Sequence, residues 1–156
     1  MIRESLIRVK QDWKSKDEII RAIVTAAEAD GLLTSAGAFA EAVYRREEEI
    51  STSIGYGIAI PHGKTDAVKE AFIAFVSLKE PIRWDAEGTD DVEAVFLIGV
   101  PKTNTEMLHL KAIAAISKKL MSETFRKRLY ACTENHEAFA MLDEIDRSIA
   151  ADSTIH

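Results

Sequence analysis

A single cysteine, Cys132, among 156 residues leaves no partner for an intrachain disulfide. That fits a reducing compartment. No apolar run approaches the ~20 residues that a membrane-spanning helix needs. The opening stretch MIRESLIRVKQDW scatters charges among its apolar residues, so it cannot supply the apolar core of a signal peptide. The expected location is the cytoplasm, with no direct membrane insertion. Excess positive charge is also missing. Twenty Lys and Arg against 26 Asp and Glu give a net charge of −6. An acidic surface draws in neither nucleic acid nor an anionic membrane, so neither is an expected partner. A local basic pocket remains compatible with this balance.

Several chemical signatures are absent as well. GYG with the later Gly63 does not complete G-x-G-x-x-G, and there is no GxxxxGK[ST] loop to cradle a nucleoside triphosphate. No G-x-S-x-G elbow offers an esterase nucleophile. Histidines stand at 62, 109, 136 and 156, without HxH, HExxH or CxxC spacing, so no metal site is expected.

What is present reads as one α/β domain. The length suits a single domain with a proper core. Leu6 to Val9 has the look of a short strand. Ser15 and Glu18 have capping-box spacing, and Ile19, Ile20, Ile23, Val24 and Ala27 recur at helical period, so a helix is predicted over Lys16–Ala29. A second helix is predicted from Ser35 to about Arg46, followed by a loop over Glu47–Gly57. Ile58–Ile60, Ala71–Leu78 and Val92–Val100 read as strands, and IRW (Ile82–Trp84) as a further short one. The long apolar runs indicate a sheet covered on both faces. Thr103–Glu106 repeats capping-box spacing before a helix over Asn104–Met121. Shorter helices follow at Glu123–Ala131 and His136–Ile145. The expectation is a three-layer sandwich, with a mixed central sheet of about five strands and helices on both faces. The domain should occupy residues 1–147, with 148–156 a frayed tail.

The segment GYGIAIPHGK, Gly55–Lys64, carries the chemistry. An apolar strand runs into Pro61, which lacks a backbone donor and should end it. His62 follows. Gly63 takes away a neighbouring side chain, so a backbone or an anion could come close. His62 is then either a loop histidine in a tight turn or a reactive group at a strand's end. Neutral imidazole is a good nucleophile near pH 7, and an N–P bond stays reactive enough to pass its phosphoryl group on. One ring nitrogen attacks while the other holds the proton, often against a carbonyl. The transferring group needs positive charge and N–H donors.

The segment STSIGYGIAIPHGK resembles the active-site segment of the enzyme IIA domains of the bacterial phosphoenolpyruvate-dependent sugar phosphotransferase system. The likeness is to the fructose/mannitol type, which includes nitrogen-regulatory paralogues. REEEIST before the loop, AVFLIGVP in the last strand and HLKAIAAISKKL after it agree in order, and the likeness spans about Leu6–Ile145. It implies that His62 accepts phosphate from phospho-HPr and gives it to an enzyme IIB, whose acceptor is usually a cysteine. A membrane permease then takes up and phosphorylates sugar. It also implies that His109 is the family's second histidine, assisting transfer, and that Arg46 is the arginine upstream of the Ser-Thr loop. Neither metal nor organic cofactor is implied; phosphoenolpyruvate is the distant donor. The alternative within the family is a regulatory module whose His62 phosphorylation state is a signal.

Each assignment has a plainer counterpart. His109 shares a helix face with Ile113, Ile116 and Leu120 and could be a packing residue. Arg46 could be a solvated arginine at a helix end, and Arg45 lies one residue away. Ser51 and Thr52, with Gly63, are the candidate phosphate-binding residues, yet the two hydroxyls could merely shape the turn. Glu47, Glu48 and Glu49 would repel phosphate if turned inward, so they are expected to face solvent. Cys132, in YACTEN, is expected to be inert packing. At this length the IIA is expected to stand alone, without a fused IIB.

Overall fold

A computed structural model describes residues 1–103 and 107–155, and of residues 150–155 the backbone alone. Among the described residues there are six strands and five helices. In chain order they are β1 (Ile2–Gln11), α1 (Lys16–Ala29), α2 (Ala36–Glu49), β2 (Ser53–Gly55), β3 (Ile58–Ala59), β4 (His62–Lys64), β5 (Phe72–Arg83), β6 (Asp91–Val100), α3 (Leu108–Leu120), α4 (Glu123–Ala131) and α5 (Asn135–Ile155). The sheet runs β1-β5-β6-β3-β2, with β4 also on β6. The β5–β6 and β2–β3 pairs are antiparallel; β1 on β5, and β3 and β4 on β6, are parallel. No helix is long and apolar enough to cross a membrane among the described residues.

Alternation along the two long strands makes the layers. Ile73 and Phe75 of β5, with Phe96 and Ile98 of β6, pack against α3, α4 and α5 through residues such as Ile116, Leu129 and Leu142. Phe72, Ala74 and Val76, with Val95 and Leu97, face α1 and α2 through Ile20, Ile23, Phe39 and Val43. Because both faces are buried, β6 shows no polar alternation, as its sequence indicated. Each fully buried side chain of this size contributes about 1.5–3 kcal/mol.

The helix starts follow local rules. Ser15 Oγ accepts from Glu18 N at 3.1 Å, and the Glu18 carboxylate accepts from Lys14 N at 3.4 Å. Ser35 Oγ caps α2 through Ala38 N, 3.1 Å. Three helices differ from the sequence expectation. α2 runs on to Glu49, because the Arg-Glu-Glu-Glu run has good helix propensity and nothing in it breaks the helix. α3 begins only at Leu108, with Met107 left-handed at φ 55° and no side-chain cap. The expected capping residues 104–106 lie outside the described residues. α5 continues to Ile155 rather than stopping at Ile145, and Ile149 is buried in the core instead of fraying. His156 lies outside the described residues.

The largest difference concerns Pro61. The strand does not end there. Ile58, Ala59, His62, Gly63 and Lys64 pair with Ala94, Val95, Ile98, Gly99 and Val100, in one unbroken register along β6. Pro61 has no N–H to give, yet its carbonyl accepts from Ile98 N at 3.0 Å. The proline thins the ladder locally without redirecting the chain. His62 is therefore part of the sheet, on a strand with no second neighbour among the described residues.

Candidate active site

On β4, His62 and Gly63 point to opposite faces. A Cβ on Gly63 would meet Phe39 Cε1 and Val43 Cγ2, both at 2.9 Å. Its bare Cα lets α2 lie directly on β4; Gly99, its partner across the ladder, faces Phe39 and Phe72 in the same way. This corrects the expectation that the space at Gly63 serves an approaching anion: helix side chains fill it. The close packing brings the last turn of α2, with Arg46, beside His62.

His62 is half-buried. Its Nδ1 lies 3.2 Å from the carbonyl of Ile60. A carbonyl only accepts, so Nδ1 carries the proton and Nε2 keeps the free lone pair. Burial holds the His62 pKa below its usual 6.5, against the pull of the Ile60 carbonyl; the charge of Arg46 lowers it further, while Glu47 and Glu49 raise it. His109, in the first turn of α3, stacks loosely on His62, with centroids 6.1 Å apart and planes 29° from parallel. Its Nδ1 is buried without a partner. Burial, then Lys64, then His62 push its pKa down. Both imidazoles are thus neutral near pH 7.

The two rings open onto a cavity of about 330 Å³ lined also by Ala42, Arg45, Arg46, Glu49 and Lys64. A larger cavity, about 510 Å³ between α3, α4 and α5, holds no imidazole. The smaller one combines a nucleophilic nitrogen with three cations. Arg46 Nη1 donates to the carbonyl of Ile50 at 2.8 Å, which folds the side chain back over the helix end. Arg45 pairs instead with Glu41 one turn back. Glu49 is the single carboxylate in the lining.

Residues 1–145 match the family described as "Phosphoenolpyruvate-dependent sugar phosphotransferase system, EIIA 2". The chain belongs to this family. It is 36% identical over 133 residues, 85% of its length, to the PTS system 2-O-alpha-mannosyl-D-glycerate-specific EIIABC component of Escherichia coli. It spans only 20% of that relative, and 16% of Multiphosphoryl transfer protein 1 of the same organism. It is 32% identical over 140 residues to the PTS system fructose-specific EIIA component of Haloferax volcanii, covering 90% of each. Among solved structures, nitrogen regulatory protein IIA-Ntr from Neisseria meningitidis superposes with a TM-score of 0.81 at 28% identity, covering 90% of this chain and 95% of that one. The complex of IIA-mannitol with phosphorylated IIB-mannitol from E. coli matches in fold, with a TM-score of 0.78 at 22% identity, over 92% and 99% of the two chains.

Within this EIIA domain, His62, His109 and Arg46 line one cavity, and Arg45 joins them at its edge. Ser51 and Thr52 do not. The Ser51 hydroxyl donates to Asp85 and the Thr52 hydroxyl to Glu47. Glu47 corrects a further expectation: it does not face solvent but is buried, held by Thr52 N at 3.1 Å, Trp84 Nε1 at 3.2 Å and Lys16 Nζ at 3.3 Å. Glu48 is exposed, and Glu49 is exposed at the cavity rim. Cys132 is buried, its thiol on the Arg128 carbonyl. Lys64 was not singled out in the sequence. Its place next to Gly63 on a strand, two residues after His62, puts it on the imidazole's side and could have marked it.

Proposed function

We propose that this EIIA domain is a cytoplasmic phosphocarrier of sugar uptake, taking a phosphoryl group from phospho-HPr on His62 and giving it to an enzyme IIB. The observation that carries this reading is the Nδ1 contact to the Ile60 carbonyl, which leaves Nε2 as the nucleophile beside Arg46 and Lys64. Nε2 attacks the phosphorus of the donor phosphohistidine. The donor's N–P bond breaks as the new one forms, and its electron pair returns to the donor ring. No proton needs to move, because Nδ1–H stays on its carbonyl. The spread charge on the three equatorial oxygens meets Arg46, Lys64 and the neighbouring His109. In the second step a IIB cysteine thiolate attacks phosphorus, and the electron pair returns to Nε2 of His62.

The curated relatives at 30% identity or above are sugar-specific components, which supports carriage over a purely regulatory role. The IIA-mannitol complex with phosphorylated IIB supports a IIB as acceptor. The permease link is then indirect, through that partner, and sugar recognition belongs to the permease. No metal or organic cofactor has a part in either step.

Purified protein mixed with phosphoenolpyruvate, enzyme I and HPr should acquire an acid-labile, alkali-stable phosphate on His62. His62→Gln should acquire none. An unlabelled wild type, or a labelled His62→Gln, would overturn the reading.

A further inference from the structure

We propose that Glu47 is a positioning residue that fixes the tautomer and aim of His62 through a relay of main-chain hydrogen bonds. The relay has three steps. Glu47 Oε2 accepts from Thr52 N at 3.1 Å, and its other oxygen accepts from the Thr52 hydroxyl. The Thr52 carbonyl accepts from Ile60 N at 3.0 Å. The Ile60 carbonyl accepts from His62 Nδ1 at 3.2 Å. Each link orients the next, because an amide that donates on one side has its carbonyl aimed by the same plane.

Glu47 is suited to anchor such a chain. It is buried, and a buried carboxylate is strongly directional when its lone pairs are filled by fixed donors. Trp84 Nε1 and Lys16 Nζ fill the remaining positions. Lys16 also lies over the Trp84 ring, 4.8 Å from its centroid, and reaches Asp85, which accepts from Ser51. Two carboxylates thus clamp two successive loop residues, Ser51 and Thr52. Glu47 is adjacent in sequence to Arg46, whose guanidinium holds the Ile50 carbonyl in that same loop. One buried side chain therefore governs both the nucleophile and the cation beside it.

The inference rests on His62 as the phosphoryl acceptor, but its test does not need phosphate. Left to itself in water, neutral histidine favours the Nε2–H tautomer, in which the nucleophilic lone pair is blocked. Nitrogen-15 NMR of the His62 ring in the unphosphorylated protein should show Nδ1–H in the wild type. Glu47→Met, which keeps volume and removes both acceptors, should move His62 toward Nε2–H. Glu47→Gln should keep Nδ1–H, since its oxygen can serve Thr52 N and Trp84 while its amide donates to the Thr52 hydroxyl. In the phosphotransfer assay Glu47→Met should lose about tenfold in maximal rate, with KM for phospho-HPr within about twofold of wild type. Should Glu47→Met not fold, amide exchange in the wild type decides: Thr52 and Ile60 should be protected. The proposal is overturned by an unchanged tautomer in folded Glu47→Met, by a Glu47→Gln tautomer like that of Glu47→Met, or by fast exchange at either amide. Failure of wild type to accept phosphate would instead sink the functional reading.

Discussion

The His62 and His109 rings lie 6.1 Å apart and nearly parallel, so charge placed on one is felt by the other. In the resting protein that coupling helps keep His109 neutral. A phosphoryl dianion on His62 reverses its sign, and the nearby negative charge must raise the His109 pKa. His109 then becomes a cation facing the group it helps to hold. NMR titration of His109 with and without phosphorylated His62 should show this rise. His109→Ala should slow transfer on the order of 10²-fold while leaving His62 the labelled residue. An unmoved His109 titration would assign the ring to packing alone.

Arg46 and Arg45 are adjacent in sequence but unlike in place. Arg46 holds the Ile50 carbonyl and lowers the His62 pKa, whereas Arg45 is committed to Glu41. Arg46→Ala should cut transfer about 10²–10³-fold, the usual loss for one fixed donor to a transition-state oxygen. Arg46→Lys should recover only part, lacking the planar fork. The His62 pKa should rise in Arg46→Ala, since a neighbouring positive charge has gone. Arg45→Ala should cost far less, and the reverse ranking in steady-state rates would exchange the two roles.

What could be read from the sequence was whatever local pattern encodes. Ser15 and Ser35 announced helix starts, and the apolar runs of β5 and β6 announced a sheet covered on both sides. His62 was legible because proline and glycine flank it, and His109 and Arg46 through the family resemblance. The rest depends on long-range pairing. Pro61 reads as a terminator to any local rule, but the β6 register carries the chain past it. Glu47 reads as one of three solvated acids, and only the fold sets Trp84, Lys16 and Thr52 around it. Gly63 signals a need for space without saying which neighbour takes it.

Both imidazoles have pKa values lowered by burial, which fixes the sign of two pH effects. Each ring binds a proton less readily when folded than when unfolded. Its stabilising contribution is therefore complete above the unfolded value of about 6.5, and is lost as pH falls through the lower folded value. The nucleophile follows the same direction: neutral His62 persists below pH 6.5. The rate of phosphoryl acceptance should be level near pH 7 and fall only on the acid side of 6.5. A midpoint above 6.5 in the rate profile would contradict the burial of His62.

Gly63 offers a test of the packing that brings α2 to the site. An added Cβ would lie 2.9 Å from both Phe39 and Val43, closer than carbon atoms approach without displacement. Both neighbours are fully buried, so relief must come from moving the helix. Gly63→Ala should destabilise the domain by about 1–3 kcal/mol, lowering Tm by about 2–4 °C for each. It should also slow transfer, because the helix that moves carries Arg46 in its last turn. Gly37→Ala in the same helix is the matched contrast. Nothing lies within 4 Å of its missing Cβ and it is helical, so alanine there should stabilise by about 0.4–1 kcal/mol. Thermal unfolding of the pair separates a crowded interface from a general effect of alanine on α2. Equal Tm changes of the same sign would mean that β4 and α2 are not packed as closely as Gly63 requires.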